Sequence, residues 1–184
     1  MVVKEDYAIV LDFLPNGYPF DKRPSHKKTA IVQALGEKHF VLLELVPKRD
    51  LAMKSQEKVY IGDDKREKIH HINGKLPDDK LTGTAKSELS VAVAKLVGDN
   101  EPHFVEFFNN AQPLSTRMHS LELIPGLGKK RMWEILEERK GDPFKDFTDL
   151  KKRIPLMPDP QKAVVKRVVE ELKGGQKHYI FVGQ

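Results

Sequence analysis

The chain has no cysteine among its 184 residues. That absence excludes disulfides, thiolate zinc sites and cysteine nucleophiles. It has one tryptophan, and aromatic residues make up only 8%. No apolar run approaches the roughly 18 residues that a bilayer-spanning helix needs. The opening Met1-Val2-Val3-Lys4-Glu5-Asp6 does not read as a signal peptide. The expectation from these absences is a soluble, cytoplasmic protein without membrane association. Asparagine and glutamine are scarce, and with 32% charged residues the composition fits a thermophile. Hydrophobic residues at 39% exclude a wholly disordered chain, and the length allows one domain or two small ones.

What is present is concentrated in one stretch, Leu121-Glu122-Leu123-Ile124-Pro125-Gly126-Leu127-Gly128-Lys129-Lys130-Arg131. Pro125 disfavours helical geometry at Ile124, so a first helix ends there. Gly126-Leu127-Gly128 then turns tightly, with no Cβ where the backbone bends and where another backbone could approach. Gly128 opens a second helix, whose first amides lack intrahelical partners and carry the positive end of the dipole. Lys129, Lys130 and Arg131 add cations where the dipole favours acids. Such a placement suits a docked anion, most simply a nucleic-acid phosphate. Residues 116–139 resemble the helix-hairpin-helix motif of sequence-independent nucleic-acid-binding proteins. The resemblance implies that Pro125, Gly126, Leu127, Gly128, Lys129, Lys130 and Arg131 form the nucleic-acid site, with the amides around Gly126, Gly128 and Lys129 holding a phosphate. That motif often has a small residue where Met132 or Trp133 stands here.

Residues 144–173 read as a degenerate second copy. Phe147 to Ile154 supplies a first helix, Pro155 to Pro160 the hairpin, and Gln161 to Lys173 a second helix with Val164, Val168 and Leu172 as its buried stripe. Its hairpin lacks both glycines and has three prolines, which donate no backbone hydrogen bond. A structural role is therefore expected of it, in a pseudo-symmetric four-helix unit. Charge follows the same division. From Gln112 onward there are 15 basic and 10 acidic residues, a balance of +5, whereas the rest holds 17 of each. The whole excess lies in the hairpin half, where a phosphate footprint needs it.

The first half reads as β structure. Strands are expected over 7–14, 29–35, 39–46, 59–62 and 69–72, with a hairpin around Gly36-Glu37, an exposed loop over 18–28 and a turn at Asn73-Gly74. Five short strands suit a small barrel, with the OB-fold as the usual five-stranded choice. Leu89, Val93, Leu96 and Val97 mark a helix stopped by Gly98, and Phe104, Phe107, Phe108 and Ala111 mark another after Asn100. His178 to Val182 is expected to return as an edge strand. The fold class is thus α+β multidomain: an OB-like barrel over 1–82, then an all-α tandem helix-hairpin-helix domain over 83–184 with a terminal strand at 178–182.

In this order the elements resemble an uncharacterised archaeal family that combines an OB-like barrel with tandem helix-hairpin-helix motifs. The resemblance implies a non-enzymatic, largely sequence-independent nucleic-acid binder. Its members tend to lie near ribosomal-protein and rRNA-modification genes, which favours RNA over DNA and ribosome or rRNA-processing components as partners. No cofactor or metal is expected, and the chain is expected to be a monomer. Gly128-Lys129 lacks the following Ser or Thr and the earlier glycine of a P-loop. His70-His71 should point to opposite faces of a strand and so not share an ion. Two alternatives stay open: a protein–protein adaptor on the ribosome or in DNA repair, and a metal-dependent nuclease using Asp63-Asp64 and Asp78-Asp79. Aromatics such as Tyr7, Phe13, Tyr18 and Phe40 could stack bases but fit a barrel core as well.

Overall fold

β-branched and leucine-rich runs in the first half of the chain form five strands in a computed structural model that describes residues 3–183. They are β1 (Tyr7–Leu14), β2 (Ile31–Gly36), β3 (Leu42–Pro47), β4 (Lys58–Tyr60) and β5 (Ile69–Lys75). All pairings are antiparallel, in the order β4-β1-β2-β3-β5. The sheet curls over a core that includes Val10, Val32, Leu45, Val59 and Ile69. Among the described residues no pairing joins β4 to β5, so the closed barrel expected from the strand count is a half-barrel.

Asn73-Gly74 is not a turn but part of β5. Glu44 pairs with Gly74 and Leu45 with Ile72, which leaves Asn73 as the extra residue of a bulge. Its side-chain amide donates to the Glu44 carboxylate at 2.5 Å.

Five α-helices follow among the described residues: α1 (Gly83–Asp99), α2 (Glu101–Asn110), α3 (Gly128–Glu138), α4 (Phe147–Arg153) and α5 (Pro160–Leu172). Gly98 does not stop α1, which runs one residue further before Asn100 leaves helical geometry. A Cβ on Gly98 would stand 3.1 Å from the Gln161 side-chain nitrogen, so the glycine serves close packing rather than termination.

The chain divides into two compact units, one of residues up to Ala92 with Glu171 onward, the other Val93–Glu170. The division lies inside α1, ten residues past the expected boundary after residue 82. Hydrogen bonds explain why the start of α1 belongs with the strands. Buried Gln33 donates to the Lys80 carbonyl at 3.0 Å and accepts from the Thr82 amide at 2.9 Å. Thr82 donates its hydroxyl to Asp12 at 2.6 Å and caps α1 by accepting from the Ala85 amide.

The tail returns to the strand unit, but not as an edge strand. Buried Glu171 accepts from the amides of Ile180, Phe181 and Val182 at 2.8, 3.0 and 2.9 Å. One carboxylate thus takes the donors that a sheet ladder would have used. Gly183 then donates to the His39 carbonyl at 2.8 Å.

In the helical unit the junctions are held by side chains on backbone groups. Arg139 donates to the carbonyls of Phe108 and Ala111 at 3.0 and 2.9 Å, satisfying the carboxyl end of α2. Arg153 reaches the carbonyls of Glu138 and Asp142 at 2.7 and 2.8 Å and lies over the Phe144 ring. Asn109 brackets the Phe144 backbone with both of its amide atoms.

Candidate nucleic-acid interface

The first arm of the hairpin is shorter than expected. Instead of an α-helix, a single 3-10 turn spans Ser120–Leu123, and the chain is extended at Ile124. His119 starts the turn by accepting from the Leu121 amide at Nδ1, 3.1 Å away, while Glu122 accepts from the His119 amide at 2.7 Å. This reciprocal cap holds a segment too short for α-helical bonding.

The turn itself has the geometry its glycines permit. Gly126 and Gly128 have φ of +77° and +65°, and Leu127 between them is right-handed helical. A right-handed residue followed by a left-handed one converges successive N–H groups into an anion-binding concavity. The Leu127 amide is committed to the Ile124 carbonyl at 3.2 Å. Those of Gly128, Lys129 and Lys130 make no hydrogen bond within the described residues. A Cβ on Gly128 would meet nothing within 4 Å, so its face is open. On Gly126 a Cβ would stand 3.2 Å from Cγ of Pro158, in the second turn.

The seven expected site residues therefore divide by role. Leu127 is buried and Pro125 half-buried, so they shape the turn. Gly126 fits against the second turn. Gly128, Lys129 and Lys130 are exposed, and neither lysine makes an ion pair among the described residues. Arg131 is half-buried and held by Glu134 at 2.6 Å, which neutralises the third expected cation.

The start of α3 differs from the others. Thr82 caps α1, Asp146 caps α4 by accepting from the Asp149 amide at 2.6 Å, and Asp159 accepts from the Lys162 amide at 2.9 Å to cap α5. α2 has Glu101 in its first turn. Only α3 among the five lacks both a capping side chain and an acid in its first turn. Its dipole is opposed by two free lysines and answered by nothing in the described residues.

The second turn repeats the first thirty positions on. Met157 donates to the Ile154 carbonyl at 3.2 Å, as Leu127 does to Ile124, and all four of these residues are buried. Here, however, the helix start is occupied by Asp159, and Lys151 is spent on the Met157 carbonyl.

Elsewhere the chemistry is sparse. A second register irregularity, between Val46 and Pro47, leaves His70 unpaired, and the two Nδ1 atoms of His70 and His71 come within 2.8 Å. The bulge breaks the alternation that should have separated them. No group of three or more metal-binding side chains occurs among the described residues. Asp63 pairs with Lys4 at 3.0 Å, and Asp78 and Asp79 lie in a 3-10 turn. Of the aromatics, Phe40 is buried and Phe13 packs on the sheet core. Tyr7 is exposed under Lys58, and Tyr18 stacks on Phe20 at 4.9 Å. Sequence reading missed Phe20, which is 73% exposed in the β1–β2 loop, and also His119, whose capping role no pattern of charges announces.

The chain is similar to other proteins along nearly all of its own length. The chain is 44% identical over 180 residues to uncharacterized protein MJ0038 of Methanocaldococcus jannaschii, covering 97% of this chain and 80% of that protein. The crystal structure of Af1531 from Archaeoglobus fulgidus matches with a TM-score of 0.89 at 40% identity, over 97% of this chain and 100% of that one. Residues 4–183 match the family described as "Protein of unknown function (DUF655)". With strands, helices and both turns inside that single match, the chain belongs to the DUF655 family.

Proposed function

We propose that this protein is a non-enzymatic, largely sequence-independent nucleic-acid-binding protein that grips the sugar–phosphate backbone at the start of α3. The observation that carries the reading is the uncapped α3 amino terminus, where the amides of Gly128, Lys129 and Lys130 are free, Gly128 presents an open face and Lys129 and Lys130 are unpaired. A phosphate there supplies what the other four helices have within their own sequence, a hydroxyl cap at α1 and a carboxylate at α2, α4 and α5. The paired turns with matching bonds support a tandem helix-hairpin-helix domain whose second copy is structural. The curled five-stranded sheet supports an OB-like reading, in which the β1–β2 loop with exposed Phe20 lies where such folds contact oligonucleotides. RNA is favoured over DNA by the translation context that the family resemblance implies, with ribosome or rRNA-processing components as accompanying partners in the cytoplasm.

Backbone amides see phosphates and not base edges, so binding is expected to be nearly indifferent to sequence. Fluorescence anisotropy with unrelated RNA and DNA oligomers tests this. A preference above about a hundredfold for one sequence implies base readout and overturns the reading. An adaptor role is the second reading, favoured by Leu156, exposed in the second turn. Absence of any salt-dependent nucleic-acid binding selects it instead.

A further inference from the structure

A cleft of about 760 Å³ opens beside the α3 amino terminus, between the loop that precedes the 3-10 turn and the helix itself. The loop is preformed. Pro113 bridges to His119, and Leu114 donates to the Met118 carbonyl at 2.8 Å. One wall is Trp133, the only tryptophan of the chain, 60% exposed and four residues after Lys129, hence on the same helix face. Leu114 and Met118 extend the apolar lining, and Arg117 and Lys129 add positive charge. The one acid of the lining, Glu122, is occupied by the His119 amide.

His119 supplies a directed polar group. The residue is 7% exposed and lines the cleft. Because Nδ1 accepts from the Leu121 amide, the ring proton resides on Nε2. That N–H makes no hydrogen bond among the described residues, and Nε2 is not among the sealed, unpartnered atoms of the interior. A fixed donor thus meets a flat exposed ring and two cations in a space of single-ligand size.

We infer that the cleft takes one unpaired nucleotide of a single strand, its base against Trp133, an acceptor on the base edge toward His119 Nε2–H, and its phosphate at Lys129. This rests on the phosphate reading of the α3 amino terminus and adds a substrate class to it, single-stranded over duplex nucleic acid. In a duplex, both faces of a base are covered by stacked neighbours, so Trp133 has nothing to stack on.

The single tryptophan makes its own probe. Titrating the protein with oligouridylate, oligothymidylate and blunt duplexes of equal length, the single strands quench Trp133 fluorescence and the duplexes do not. Trp133→Leu lowers single-strand affinity about tenfold, within the range for loss of one base stack. It leaves duplex affinity and salt dependence unchanged, while Trp133→Phe falls between. His119→Asn keeps an N-cap acceptor for Leu121 while removing the Nε2 donor, and lowers single-strand affinity by about fivefold. Thermal melts identify any variant that fails to fold, and the exposed position of Trp133 keeps that variant decisive. Salt-dependent binding with no quenching, or equal quenching by duplexes, overturns the cleft assignment and leaves the phosphate reading standing. No salt-dependent binding of either polymer overturns both.

Discussion

Two glycines two residues apart share a left-handed backbone and differ in what their missing side chains would meet. For Gly128 the space is open, and for Gly126 it is filled by Pro158 at 3.2 Å. Asparagine tolerates the left-handed region better than any residue but glycine, so it separates backbone strain from obstruction. Gly128→Asn should fold with little loss of melting temperature and bind nucleic acid about tenfold or more weakly, since its side chain covers free amides. Gly126→Asn should destabilise by about 1–3 kcal/mol through overpacking. Denaturation and anisotropy on both variants check the pair, and equal effects would show that the open face is not where phosphate docks. His119 adds a pH dependence. Burial, reinforced by the Arg139 charge and partly opposed by Glu122, lowers its pKa below the ordinary 6.5. The unfolded chain therefore takes up the proton first as pH falls, so the stability from this residue is complete above 6.5 and is lost below it. Protonation also removes the Nδ1 acceptor that caps Leu121. Urea midpoints of the native chain should fall between about pH 7 and pH 5, and the His119→Asn midpoints should fall less.

At the scale of elements, the starts of α4 and α5 and the returning tail are each held by a single carboxylate, and removing one has its own signature. Asp159→Ala should cost about 1 kcal/mol of stability and leave nucleic-acid affinity unchanged, because the cap of α5 is internal. Glu171→Gln is more severe. One buried carboxylate serves three tail amides, and its amide replacement keeps a single acceptor oxygen. A loss of about 2–3 kcal/mol in chemical denaturation is expected, with faster hydrogen exchange at Ile180, Phe181 and Val182. Such contacts mark the boundary of what the sequence made legible. β1, the β2–β3 hairpin, the break at Pro125 and the basic start of α3 follow from local period, proline geometry and glycine, and each was readable. The bulges at Asn73 and His70 were not, because a register shift depends on β3, the strand opposite. The tail looked like a strand because it is apolar and β-prone, but its partner is a side chain on α5. Arg131 looked as free as its neighbours, and only Glu134, one helical turn on, decides that it is not. His119 has no periodic neighbour to announce it and emerges only from its bonds.

At the scale of the whole molecule, the excess of five positive charges sits in the second half of the sequence, yet much of that basic content is structural. Arg139 and Arg153 are spent on carbonyls, Arg131 on Glu134, Lys151 on the Met157 carbonyl, and Arg167 is buried. Net charge alone therefore overstates the phosphate footprint, and the salt dependence should be modest. With about three to five phosphate contacts, the slope of log affinity against log salt should lie between about −2 and −5. Lys129 and Lys130 should account for a large share of it. They stand about 100° apart on the helix, so both cannot face one phosphate, and their attraction adds to the field around the turn more than to one contact. Replacing both with glutamine leaves Gly128, the amides and the Arg131–Glu134 pair in place. The slope should become shallower by about 1.4–1.8 units, two contacts at 0.7–0.9 each. Stopped-flow measurements should place most of the loss in the association rate, because steering is removed while the oriented amides still hold the bound phosphate. Full affinity with an unchanged slope would make the two lysines a solvated helix face, and the turn would lose its claim on nucleic acid.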